Sequence, residues 1–184
     1  MAEKEECLEI MSGAGPADLR ELCLELAAWM FYLGERAPTV EEGKRLAAEL
    51  IASGAALKKF HEIARLQGGD PLRLPRARNT LEIPSPARGF VHSIQCEQVG
   101  TACVVLGGGR EKKEDSVDPA VGIVLQKKVG DAVRADAPLC TVYYNSDARL
   151  AEARRLLESS YRITEYRPTA ERPLIHQVIE GGRE

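Results

Sequence analysis

The sequence predicts an α+β chain: an N-terminal helical segment over 1–70, then a small antiparallel, barrel-sandwich-like β module over 79–184 that carries one or two helices. Three observations predict it. Apolar residues recur at helical spacing as far as residue 67. A stretch rich in proline and arginine, 71–78, then reads as a linker. Beyond it the segments turn short, β-branched and cut by glycine and proline, as strands are.

The first helix is expected over 3–12, with Cys7, Leu8 and Met11 on one side. Ser12-Gly-Ala-Gly-Pro16 breaks it, and Pro16 or Ala17 opens the next helix, where a missing N–H costs nothing. There Leu19, Leu22, Cys23, Leu26, Ala27, Met30 and Leu33 form a stripe that Trp29, Phe31 and Tyr32 widen. Such width implies cover on more than one side, and Gly34 is the expected stop. Thr39-Val-Glu-Glu42 has the form of a capping box. The helix it opens turns Leu46, Ala47, Leu50 and Ile51 inward and ends near Ser53-Gly54. A fourth helix, with Leu57, Phe60, Ile63 and Ala64 inward, runs to Gln67-Gly-Gly-Asp-Pro71.

In the β module, strands are expected over 81–83, 89–94, 101–106, 121–125 and 140–144. Lys128-Val-Gly-Asp131 reads as a tight hairpin closing the 121–125 strand. Asp147 is the expected cap of a helix over 148–159, with Leu150, Ala153, Leu156 and Leu157 on one face. Strands are also expected over 161–166 and 174–179.

Composition narrows the function classes. The 184 residues suffice for one domain with a real core or for two small ones. A formal net charge of −3 gives no electrostatic case for nucleic acid or acidic membranes. No apolar run approaches the ~18 residues that span a bilayer, and the N-terminus is too acidic for a signal peptide. The five cysteines are scattered without a C-x-x-C pair, so they read as reduced, mostly buried thiols of a cytoplasmic protein.

Three glycines, 107–109, with Arg110, Lys112 and Lys113 invite an anion nest. A phosphate loop needs a helix to open directly after the glycines, whereas a charged run leads here to Asp118-Pro119. A solvated surface loop is therefore the preferred reading. Glu114, Asp115 and Asp118 match no calcium-loop spacing, and His61, His92 and His176 lie far apart with no ligand partners at zinc spacing. No serine has a nucleophile-elbow context, so no catalytic constellation is expected.

Several ordered motifs resemble one family. Leu106-Gly-Gly-Gly-Arg110, Lys113-Glu-Asp115, Asp118, Val121-Gly-Ile-Val-Leu125 and Lys128-Val-Gly-Asp131 are similar to the C-terminal domain of thymidine and pyrimidine-nucleoside phosphorylases. Upstream, Gly15-Pro16-Ala-Asp-Leu19, Glu21-Leu22, Ser53-Gly-Ala55 and Gln67-Gly-Gly-Asp70 match in the same order. The resemblance implies residues 1–70 complete a central domain, and 79–184 form the C-terminal domain. It also implies reversible cleavage of pyrimidine nucleosides by phosphate, without an organic cofactor. The family's phosphate- and base-binding segments have no counterpart in these residues, so the chain alone is expected to be inactive. Only Glu6 carries over as a site residue, as a ligand to a cation whose other ligands would lie upstream.

The resemblance implies dimers formed through helices that have no counterpart in these residues. Leu19, Leu22, Leu26, Trp29, Met30 and Phe31 nevertheless leave apolar surface to cover, so self-association through the helix over 17–33, or binding of a separate N-terminal half, is expected. Tyr143, Arg88 and a shortened linker depart from the pattern, as does Asp136, which stands at a usual turn glycine and can enter the left-handed region. A stand-alone interaction module descended from the enzyme is the alternative. A weaker one is a carrier, because Val129-Gly-Asp-Ala-Val133 and Pro138-Leu139 resemble the barrel-sandwich hairpins of biotinyl and lipoyl domains. Carriers need a lysine at an exposed hairpin tip, and the lysines here lie elsewhere.

Overall fold

The computed structural model describes residues 2–70, 73–110, 112–169 and 173–179. Residues 71 and 72 of the expected linker, and Glu111 of the charged run, lie outside them. The described residues form six helices and two three-stranded antiparallel sheets, with no closed barrel. The chain divides into two compact units. One is built on Leu74–Glu171; the other combines Glu3–Arg73 with the segment from residue 172 onward.

In the helical unit, α1 (Ala2–Met11), α2 (Ala17–Leu33), α3 (Val40–Ala52) and α4 (Ala55–Leu66) follow one another through short turns. Local signals set their ends. The Thr39 hydroxyl accepts the Glu42 N–H at 3.2 Å and starts α3. The stop after α2 falls one residue beyond the expected glycine: Gly34 has φ −85°, and Glu35 takes the left-handed conformation at φ 56°. The Arg36 N–H then reaches back to the Phe31 carbonyl at 2.8 Å, closing the helix end.

Helices α2 and α3 meet through small residues. A Cβ at Gly43 would sit 2.5 Å from the Ala28 carbonyl oxygen, so only glycine allows this approach. Ala28 and Ala47 are buried around that contact. Lys44 donates to Glu25 at 2.8 Å beside it, holding the Glu25 carboxyl below its ordinary range. Ile10 is the one large aliphatic buried among the described residues of this unit.

The α+β unit has a continuous core. Strands β1 (Asn79–Pro84), β5 (Pro138–Tyr144) and β3 (Gly122–Leu125) form one sheet in the order β1-β5-β3. The other sheet is β4 (Ala132–Val133), β2 (Gly89–Ile94) and β6 (Tyr161–Thr164), in the order β4-β2-β6. Helices α5 (Cys96–Cys103) and α6 (Asp147–Ser160) complete the unit. Ile83, Val91, Leu106, Leu139, Cys140, Val142 and Leu157 are fully or nearly fully buried in one cluster. In register, Ile83 faces Cys140 and Ile123 faces Val142, so the central strand β5 is covered by both neighbours.

Four expectations are corrected here. Residues 101–106 are not a strand: α5 runs to Cys103 and continues into a π-helical turn over Val104–Gly108. The β-branched Thr101, Val104 and Val105 suggest a strand, but Val99, Ala102, Cys103 and Leu106 recur at helical spacing. Burial of Ala102 and Leu106 in the core outweighs the weak local preference. Lys128-Val-Gly-Asp131 does not close a hairpin on β3; it carries the chain from one sheet to the other. Its C-terminal end is tied to β2, with the Gly130 N–H donating to the Val91 carbonyl and the Val91 N–H to that of Asp131. The cap of α6 falls one residue before the expected one, with Ser146 at the N-cap and no side-chain bond there, while Asp147 stands in the first turn. Residues 174–179 form no strand: they are irregular, with a bend at Leu174, and are in no sheet among the described residues. Asp136 does take the left-handed conformation, at φ 62°.

Candidate functional site

The most constrained surface element is the turn that α5 feeds. Its π-helical turn is broken at Gly107, whose φ of 101° disfavours any side chain. The Arg149 guanidinium lies over it, 2.6 Å from where a Cβ would be. The three glycines therefore follow the C-terminal end of a helix, whose free carbonyls repel anions. Arg110, Lys112 and Lys113 are exposed beyond them. The surface-loop reading fits this geometry and the anion nest does not.

The far end of the loop is clasped. The Asp118 N–H donates to the Gly107 carbonyl at 2.8 Å, joining the two ends of the loop. The Asp118 carboxylate accepts from the Asn145 amide at 2.7 Å and from the Ala120 N–H at 2.9 Å. These bonds, the Asn145 one foremost, hold its carboxyl below the usual range; Arg149 and Arg78 add favourable charge against a burial cost. The other face of the Asn145 amide accepts the Arg78 N–H at 2.8 Å, so one side chain ties the loop to the chain entering β1. Between the loop and α6 lies a polar cleft of about 590 Å³ bordered by Gly109, Glu114, Ser116, Arg149 and Glu152.

Other candidates stay apart. Asp115 accepts the Lys112 N–H at 2.9 Å and caps a turn within the loop. Glu6 sits half-buried on α1, and no group of three histidine, cysteine or carboxylate side chains fit to hold a metal gathers anywhere among the described residues. His61, His92 and His176 lie on α4, on β2 and in the 173–179 segment. The cysteines are not mostly buried as expected: Cys7, Cys23 and Cys96 are exposed and Cys103 is half-buried, because they fall on outward helix faces, while Cys140 is buried on β5, and burial pushes its thiol up to about 12. Asn145, Arg149 and Arg78 were not singled out from sequence: a lone asparagine before a helix start carries no distinguishing pattern.

Residues 90–164, from β2 through the glycine turn and its clasp to β6, match the pyrimidine nucleoside phosphorylase C-terminal domain. The chain carries the C-terminal domain of the pyrimidine-nucleoside phosphorylase family. Similarity extends beyond that domain into the helical unit. A pyrimidine-nucleoside phosphorylase of Geobacillus stearothermophilus is 38% identical over 168 residues, 88% of this chain and 39% of that protein. One of Bacillus subtilis is 40% identical over 151 residues, 79% of this chain and 35% of that protein. One of Staphylococcus aureus is 40% identical over 185 aligned positions, 96% of this chain and 42% of that protein. The chain thus spans about two fifths of the length of the curated relatives it matches. No described helix is long and apolar enough to cross a membrane.

Proposed function

We propose that this chain is the C-terminal portion of an enzyme that reversibly cleaves pyrimidine nucleosides with phosphate, giving free base and pentose 1-phosphate. The observation that carries this is the match of nearly the whole chain to proteins named pyrimidine-nucleoside phosphorylases. In this reading the phosphate and base are held by segments outside these residues. The glycine turn and the Asp118–Asn145 clasp supply a rigid loop rather than reacting groups. Holding substrates in a reactive geometry and stabilising developing charge both need oriented donors, and no such constellation stands among the described residues. A cytoplasmic setting belongs to the same proposal, as does a cation at Glu6. One half-buried carboxylate holds no ion, so the other ligands would come from the rest of the enzyme.

The test is release of free uracil or thymine from uridine or thymidine in phosphate buffer. The chain by itself is expected to release none, and the chain joined to the missing segments to release base at a rate set by nucleoside. Release by the isolated chain above the buffer control, abolished by a nucleoside-phosphorylase inhibitor, overturns the division of labour proposed here.

A further inference from the structure

One end of the β4-β2-β6 sheet collects charge that the fold alone does not explain. Strand β4 ends, β2 begins and β6 ends there, because both neighbours run antiparallel to β2. Gly89 pairs with Val133 and Phe90 with Ala132. One residue further along, the same register sets Arg88 opposite Arg134. Alternation turns Val91 and Val133 into the core and leaves Arg88, Phe90, Ala132 and Arg134 on the other face. Those four, with Ala135 and with Glu165 just beyond β6, line a groove of about 970 Å³.

Like charges directly opposite one another on paired strands are destabilising. Among the described residues neither guanidinium has a hydrogen-bond or ion-pair partner, and Asp136, in the same turn as Arg134, does not line the groove. The backbone that carries both arginines is nevertheless firmly held. The Ser85 hydroxyl donates to the Ala87 carbonyl at 2.8 Å, and the Ala137 N–H closes its turn on the Arg134 carbonyl at 3.2 Å. The two turns are joined by the Ser85 N–H on the Ala137 carbonyl at 2.8 Å and the Asp136 N–H on the Ser85 carbonyl at 2.9 Å. A Cβ at Gly89 would run into the Thr164 carbonyl, so only glycine lets β2 lie this close to β6.

We propose that this groove is a binding site for a nucleoside monophosphate. Guanidinium groups grip phosphate through forked, charge-assisted hydrogen bonds, and an anion between Arg88 and Arg134 cancels their repulsion. The groove is far larger than one phosphate and has the size of a small-molecule site, roughly 300–1,000 Å³. Half-buried Phe90, two residues along the same face from Arg88, offers a ring for a base to stack on. On the β6 side the Glu165 carboxylate can accept from ribose hydroxyls or a base amino group, and it repels further phosphates. That row of two cations, a ring and a carboxylate selects a single phosphate over a triphosphate or a polynucleotide. Arg88 departs from the family pattern, so the site belongs to this chain rather than to its relatives at large.

The probe is adenosine 5′-monophosphate, titrated into the whole chain by calorimetry, with adenosine and inorganic phosphate as its two separate parts. An adenine nucleotide stands outside the pyrimidine chemistry proposed above, so the outcome does not depend on that reading. The mononucleotide should bind with a Kd below about 1 mM, and each part at least about 10-fold more weakly. Arg88→Gln and Arg134→Gln should each weaken the mononucleotide at least about 10-fold. Each should also raise the urea midpoint of the unliganded chain, because it removes one of two opposed charges. Phe90→Leu should weaken the mononucleotide and leave inorganic phosphate unchanged. A mononucleotide Kd above about 1 mM overturns the proposal. Inorganic phosphate that binds as tightly as the mononucleotide means an adventitious ion only, and overturns it too. So does binding that survives both arginine substitutions, which places the nucleotide elsewhere. A urea midpoint that falls in both arginine variants removes the opposed-charge premise, and the site with it.

Discussion

Leu157 and Leu33 are the same side chain on two amphipathic helices, yet the first is fully buried and the second is 72% exposed. The contrast holds for the units they belong to. In the α+β unit, two sheets and two helices converge on one cluster that includes Ile83, Leu139, Val142 and Leu157. In the helical unit the contacts between α2 and α3 are made by Ala28, Gly43 and Ala47, while Leu26, Met30 and Leu33 face outward. The apolar stripe of a helix states how much surface must be covered, not what covers it. One unit closes a core among its own residues, and the other leaves part of its apolar stripe exposed.

The largest expected effect comes from the closed core. Leu157→Ala should lower the stability of the α+β unit by about 2–5 kcal/mol, read from urea unfolding of the chain. Met30→Ser, at a 74% exposed position, should change it by less than about 0.5 kcal/mol. Comparable losses from the two substitutions would erase the distinction between the units.

Next comes the clasp. Asn145→Ala removes partners from both Asp118 and the Arg78 N–H and should cost about 1–3 kcal/mol. It should also flatten the acid limb of the stability curve. The folded pKa of Asp118 lies below its unfolded value. The unfolded chain therefore takes up the proton first as pH falls, and stability is lost on acidification through the folded pKa. That window lies at and below about pH 4, the ordinary range for aspartate. Acid titrations of the parent and Asn145→Ala chains that superimpose would show that the clasp carries no linkage.

The smallest effect sits at the start of α3. Thr39→Ala should cost about 1 kcal/mol and should act within the helical unit. Hydrogen exchange resolved by residue would show faster amides in α3 and unchanged amides in β5. A uniform rise in both would mean that the two units unfold as one.

What could be read from the sequence follows the range of the forces involved. The α3 cap and the left-handed Asp136 were legible, because capping and turn chemistry act within three or four residues. The expected strand over 101–106 failed because β-branched residues carry a weak preference that contact with the core reverses. Lys128-Val-Gly-Asp131 announces a turn, but nothing in its residues says which sheet receives the next strand. At the site, the glycines were visible and their clasp was not. Asn145 bonds to groups 27 and 67 positions away, and no local pattern encodes such a pairing.

Cys140 offers a built-in clock for the core. Its thiol is fully buried on the central strand and is kept protonated by that burial, whereas Cys7, Cys23 and Cys96 meet solvent directly. An alkylating reagent attacks the thiolate, so it should modify the exposed cysteines promptly and reach Cys140 only while the sheets are apart. The slow phase of labelling then measures how often this domain opens under native conditions, without denaturant and without an introduced residue.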